Sequence, residues 1–216
     1  MKIKILFLLG AILCGNLVHG QHTKYLLGIR LSPGLSKMHS NLINYDKKFG
    51  YSASFSFEYL LNNHFSAKAE LGYERKSSGT EIIIIDNYMV YLYTIDVRIN
   101  YDYLTFPIYG SYRTNGKVRF IIDLGTNMGY LVSLKTKSVK STGGETKSKN
   151  TAKELNRFDF GLLGGTGAGF PVNDHLGINL GIKGTVGILN LIKHSENKAR
   201  MKINTVGLYI GITYKI

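Results

Sequence analysis

YIGITYKI, residues 209–216, closes the chain as a strictly alternating strand, and the alternation runs back to Thr205. Val206, Leu208, Ile210, Ile212, Tyr214 and Ile216 share one face, while Thr205, Gly207, Tyr209, Gly211, Thr213 and Lys215 share the other. The first face suits lipid and the second a polar interior. A chain that stops on such a strand needs a neighbouring strand to satisfy its edge.

The same period recurs upstream. Eight candidate strands lie near residues 24–32, 50–60, 64–76, 88–112, 117–133, 155–172, 175–190 and 201–216. Three connections are tight turns, Leu61-Asn62-Asn63, Thr114-Asn115-Gly116 and Asn173-Asp174, built from residues that accept left-handed backbone angles. The other connections are longer and polar, which is the asymmetry between periplasmic turns and extracellular loops of an outer-membrane barrel. Gly 25, Tyr 15 and Phe 10 against Pro 3 and Trp 0 favour sheet over helix. The expected fold is all-β: an eight-stranded, closed, antiparallel transmembrane β-barrel with both termini on the periplasmic side.

Charge placement supports lipid as the outer solvent. Val118, Phe120, Ile122, Leu124, Thr126, Met128, Tyr130 and Val132 share one face of the fifth strand, and Arg119, Asp123 and Asn127 the other. Tyr51 to Tyr59, Phe65 to Tyr73 and Leu176 to Ile188 repeat the pattern without a charge on the apolar side. A Lys or Arg facing lipid at mid-depth costs about 2–4 kcal/mol, so this segregation is expected in a membrane. The fourth strand departs from it: Asp96, Arg98, Asn100 and Asp102 continue into Leu104, Phe106 and Ile108 on one parity. A bulge, or a change from an extracellular extension to the membrane-embedded part near Tyr101 to Tyr103, reconciles the two halves. Pro107 points to local irregularity there.

The opposite faces hold Ser, Gly and charged residues. Glu58, Lys68, Glu70, Arg119, Asp123, Asp159 and Lys183 form the expected structural network of the lumen, because buried charges must pair. With eight strands, side chains fill such a lumen and an open diffusion pore is not expected.

Residues 1–20 read as a secretory signal, with Lys2 and Lys4, an apolar run from Ile5 to Cys14, and a cut before Gln21; residues 21–216 then form one barrel domain in the cell outer membrane. Cys14, the single cysteine, raises a lipoprotein signal as an alternative, which Leu13 opposes because a small residue is expected there. No apolar run after residue 20 reaches the roughly 20 residues of a spanning helix.

No catalytic, cofactor or metal motif emerges. His64 and His175 follow tight turns in the related contexts LNNHF and VNDHL, at the periplasmic rim, and His39 and His194 fall in outer loops outside any nucleophile or ligand pattern. GLLGGTGAG, residues 161–169, lacks the following helix that a phosphate loop requires, so it reads as close packing in a curved strand.

The formal charge is +13, two units of which belong to Lys2 and Lys4. Lys135, Lys137, Lys140, Lys147, Lys149 and Lys153 make the third outer connection, residues 134–154, a basic loop. Its Ser141-Thr142-Gly143-Gly144 centre is expected to be mobile. Outer-membrane lipid, including the phosphates of lipopolysaccharide, is the expected partner, and nucleic acid is not, in an exported chain. A solvated loop with no partner is the plain alternative.

The chain resembles the PorT-like small outer-membrane β-barrel family of Bacteroidetes-type bacteria. Gly28-Ile29-Arg30, Glu70-Leu71-Gly72-Tyr73, Tyr103-Leu104-Thr105-Phe106-Pro107-Ile108, residues 125–131 and YIGITYKI carry the resemblance. It implies a barrel in the outer membrane, and it makes Tyr209, Gly211, Tyr214 and Ile216 an assembly signal for the barrel-assembly machinery. Three function classes follow. The first is a non-enzymatic barrel with a structural or loop-mediated interaction role. The second is an accessory of protein secretion or envelope assembly with an unidentified protein partner. The third is a periplasmic lipocalin-like ligand-binding barrel, which needs an apolar interior and is opposed by the polar one.

Overall fold

The computed structural model describes residues 24–41, 45–85, 91–150, 155–192 and 200–216. The expected signal, residues 1–20, lies outside the described residues, as do Lys153 and His194. Nine strands follow in chain order: β1 Tyr25–Ser40, β2 Asp46–Leu60, β3 Phe65–Ile85, β4 Tyr91–Arg113, β5 Arg119–Lys140, β6 Glu145–Asn150, β7 Phe158–Pro171, β8 Leu176–Gly187 and β9 Met201–Lys215. Eight close into an antiparallel ring, in the order β4-β3-β2-β1-β9-β8-β7-β5 with β5 pairing back onto β4. β1 and β9 meet along the register Leu27↔Tyr214 to Ser40↔Met201, so the terminal strand has its partner. The structure is the eight-stranded barrel that the alternation implies.

The outward faces are apolar at mid-height. Phe55 is 70% and Leu124 72% exposed, and Val206, Leu208, Ile210, Ile212, Tyr214 and Ile216 all point out. Aromatic belts frame this band. The lower belt holds Tyr25, Phe57, Tyr59, Phe65, Tyr112 and Tyr214; the upper one holds Tyr51 packed on Tyr73, and Tyr130 on Phe158. From Tyr51 to Tyr59 the chain climbs about 26 Å along β2, or about 20 Å of height after tilting, which matches a bilayer core bordered by rings.

The two related turns are built alike. Asn62 Oδ1 accepts from His64 N and Phe65 N at 2.8 Å, and Asn173 Oδ1 accepts from His175 N at 2.9 Å and Leu176 N at 2.7 Å. Each histidine then stacks on a tyrosine of the next strand, His64 on Tyr112 and His175 on Tyr214. Both sit at the rim, as their contexts imply.

Above the upper belt the strands run farther than the alternation indicated. β3 continues ten residues past Arg75 to Ile85, about 33 Å of chain. β4, β5 and β6 pair beside it into a four-stranded wing. Residues 134–150 are therefore not the unstructured loop expected: β5 reaches Lys140, turns through Gly143 and Gly144 at φ +98° and +100°, and returns as β6. The two glycines that suggested mobility supply the left-handed angles of a hairpin turn.

β4 keeps one parity from Tyr93 to Arg113. Leu104, Phe106 and Ile108 point out, and Tyr101, Tyr103, Thr105, Pro107 and Tyr109 point in. The change of environment near Asp102 explains its mixed face, and the bulge falls on the partner strand. Asp102 pairs with Ser133 and Tyr103 with Leu131, which leaves Val132 as the extra residue of β5. That residue inverts the parity of β5, turning Leu134 inward and Lys135 outward. Between Ala69↔Ile108 and Gly72↔Thr105 the β3–β4 ladder skips two pairs without changing register, beside Pro107, which has no amide hydrogen to donate.

Candidate functional site: a charged lumen, a basic wing and a periplasmic vestibule

The interior at bilayer depth is ionic. Arg30 Nη1 lies 2.8 Å from Glu70 Oε1 and donates to Tyr109 OH at 2.8 Å, while Tyr109 OH donates to Glu70. Ser54 Oγ donates to Glu70 Oε2 at 2.9 Å, and Lys183 Nζ stands 3.8 Å from the same oxygen. Lys68 Nζ bridges Asp123 at 3.5 Å and Glu58 at 3.7 Å, and Arg113 closes on Glu58 from the periplasmic side. Arg30 is 6% and Glu70 1% exposed, so each needs the other. The Arg30 guanidinium lies 4.4 Å over the Tyr209 ring. That ring covers Gly167 and Gly181, where an added Cβ would strike it. The glycine-rich run is thus the bed of Tyr209, in keeping with the close packing read from residues 161–169.

Of the seven expected network residues, Glu58, Lys68, Glu70, Asp123 and Lys183 meet in this cluster. Arg119 stands exposed at the lower rim and makes no ion pair among the described residues. Asp159 belongs to a second, higher cluster, with Lys76 Nζ at 2.6 Å from its Oδ2 and at 3.8 Å from Glu74. Arg30, Tyr109, Arg113 and Lys76 are absent from the sequence-based set. Arg30 had a signal: it shares the parity of Gly28 and Ser32 between the outward residues Leu27, Ile29 and Leu31. Of the expected assembly residues, Tyr209 and Gly211 face the lumen, and Tyr214 and Ile216 face out.

Over this polar region lies an apolar one. Met38, Tyr45, Tyr101, Tyr103, Leu131, Leu134, Leu191 and Ile203 pack into a core at the outer end of the interior. Among the described residues, small cavities of about 30 and 10 Å3 lie along the lumen, whereas about 640 Å3 opens at the periplasmic end.

The outward face of the wing gathers cations. Arg98 pairs with Lys137 across β4–β5, and Lys137 with Lys147 across β5–β6, so three cations stand side by side. Lys135 lies opposite Asn100 across β4–β5. Glu145 offsets part of this charge, at 3.0 Å from Lys137 and 2.8 Å from Lys147. The Lys147 and Lys137 ammoniums, donating to it, hold the Glu145 carboxyl below its ordinary range. Lys140 lies 5.5 Å over the Tyr93 ring. At the foot of the wing, Arg75 Nε and Nη2 grip Asp102 at 2.6 and 3.0 Å, and Lys135 approaches Asp102 at 3.7 Å.

Three solved structures illustrate the likeness of fold. Ail, the attachment invasion locus protein of Yersinia pestis, solved in complex with the heparin analogue sucrose octasulfate, is 16% identical over 89% of this chain and 99% of its own, with a TM-score of 0.43. Neisserial surface protein A is 13% identical over 92% and 100%, with a TM-score of 0.47. A major outer membrane protein from Thermus thermophilus is 9% identical over 89% and 99%, with a TM-score of 0.49. No curated protein matches the chain in sequence. The family model of the outer membrane protein beta-barrel domain matches residues 21–193, most of the chain and every ring strand except β9; the chain belongs to that family of outer-membrane barrels.

Proposed function

We propose that this protein is a non-enzymatic outer-membrane barrel with a filled lumen, which lays a basic wing against the anionic outer leaflet and presents that wing to partners outside the cell. One observation carries the reading: Arg98, Lys137 and Lys147 stand in register on the outward face of the wing, level with Gly79 of β3. Gly79 is four residues beyond Arg75, about 13 Å along the strand above the upper belt. Cations at that height meet the phosphates of lipopolysaccharide. Opposed like charges weaken a hairpin by themselves, so a row of them fits a surface that binds an anion. The ion-paired lumen supports a structural role in place of conduction or catalysis. The secretory reading of residues 1–20 supplies the route of export, and the segments Glu70-Leu71-Gly72-Tyr73 and YIGITYKI support a PorT-like place within the family.

The test is lipopolysaccharide binding by the refolded protein at increasing salt. Affinity falls with salt, because exposed charges are screened beyond about 8 Å at physiological ionic strength. It falls further in a Lys135→Glu, Lys137→Glu, Lys147→Glu variant that still shifts mobility on heating. Unchanged binding by that variant overturns the reading.

A further inference from the structure

Among the described residues, the periplasmic end of the lumen opens into a vestibule of about 640 Å3, and its chemistry is unlike that of the plug above it. Lys68, Arg113, Arg119 and Lys215 line it, against the acids Glu58 and Asp174. Glu58 is already shared by Lys68 and Arg113, and Lys68 is also held by Asp123. Arg119 and Lys215 make no ion pair among the described residues. The buried Nε of Arg113 has no hydrogen-bond partner among the described residues. The vestibule therefore combines an excess of cations, two guanidiniums on adjoining strands, and an idle buried donor. The rest of its wall is partly apolar, with Leu26, Leu60, Ile121, Phe170 and Leu176.

Two guanidiniums and an ammonium offer more donors than the carboxylates of Glu58 and Asp174 accept, and guanidinium forks match phosphate oxygens in pairs. We propose that the vestibule binds a phosphate ester from the periplasmic side, with Arg119 and Lys215 capturing the phosphate at the mouth and Arg113 completing its contacts from the floor. The apolar wall takes the organic part of the ligand. The phosphate reaches this site either on a soluble ester or on a phospholipid headgroup of the inner leaflet, since the mouth opens at the lower aromatic belt.

The full-length protein in phosphatidylcholine nanodiscs tests this with two probes. The first is inorganic phosphate, followed by the broadening of its phosphorus NMR line. The second is phosphatidylglycerol retained from mixed phosphatidylglycerol–phosphatidylcholine vesicles, counted by native mass spectrometry. An Arg119→Gln, Lys215→Gln double variant removes only unpaired rim cations, and Lys47→Gln, Lys117→Gln, which removes two exposed cations outside both the vestibule and the wing, is the control. At least one probe binds the wild type, binds about tenfold or more weakly to the vestibule variant, and is unaffected by the control variant. Phosphate binding without lipid retention assigns a soluble ester, and lipid retention assigns the headgroup. Wild-type protein that binds neither probe, or a vestibule variant that binds both as the wild type does, overturns the proposal.

Discussion

β4 below Asp102 and β4 above it follow one alternation with opposite chemistry. Below, Leu104, Phe106 and Ile108 point out while Thr105, Tyr109 and Ser111 point in. Above, Asp96, Arg98, Asn100 and Asp102 occupy the outward parity, and Ile99 and Tyr101 join the apolar core within. The backbone pattern is continuous, so the solvent decides what the alternation means. Lipid gives no hydrophobic reason to pack apolar groups inward, and an interior of Arg30, Glu70 and Asp123 is then held by ion pairing. Water above the membrane restores that reason, and Met38, Leu134, Leu191 and Ile203 close the outer end as a small soluble core.

The largest expected effect is on the polar side of this comparison. Arg30→Met removes the nearest cation from Glu70 and should destabilise the barrel by about 3–5 kcal/mol, read as a lower urea midpoint of the refolded protein. Adding Glu70→Gln should recover part of the loss, because the stranded carboxylate goes with it.

Next comes a pair of substitutions on the same face of β4. Ile108→Lys places an ammonium in lipid near mid-depth and should cost about 2–4 kcal/mol. Asn100→Lys, eight residues along the same face, meets water but gives up the Ser77 hydrogen bond at 2.8 Å and faces Lys135, so it should cost only about 0.5–1.5 kcal/mol. Equal costs in urea denaturation would erase the distinction between the two regions.

Smaller still is Lys137→Glu. It gains opposite-charge neighbours in Arg98 and Lys147 but gives up the Glu145 carboxylate at 3.0 Å, so the hairpin should stay within about 0.5 kcal/mol of the wild type, seen as nearly unchanged amide exchange in β5 and β6. The same change should weaken lipopolysaccharide binding, which separates fold from function. The least effect is that of pH on Glu145. Its folded value lies below the ordinary one, so its contribution is present above the ordinary value and is lost as pH falls through the folded one. Amide exchange in the hairpin, corrected for the intrinsic rate, should quicken only on that acid side.

The faces of the strands were legible because alternation reports side directly. Depth was not. Arg119 has the lumen parity of Asp123 but lies at the first residue of β5, where the lumen opens into the vestibule. Asp159 also has the right face, yet the stagger of the strands raises it to Lys76 instead of Lys68. Stagger is set by pairing between distant strands, which one strand's alternation does not encode. The β5–β6 hairpin did leave a local trace: Lys135-Thr136-Lys137 and Thr146-Lys147-Ser148 alternate on either side of Gly143-Gly144, a strand-turn-strand pattern hidden by its polarity. Val132 left a trace as well, since without an extra residue Lys135 and Lys137 would share the inward parity of Asp123.

The inversion along β4 is tested most directly by spin labels on single-cysteine variants Arg98→Cys, Asn100→Cys, Leu104→Cys, Phe106→Cys and Ile108→Cys, in liposomes. Their collisions with oxygen, which concentrates in lipid, are compared with those of a water-soluble nickel chelate. The account predicts chelate-dominated collisions at positions 98 and 100, oxygen-dominated collisions at 106 and 108, and a crossover between 100 and 104. Chelate access at 106 and 108 equal to that at 98 would contradict it, because the outward face of β4 would then meet one solvent along its whole length.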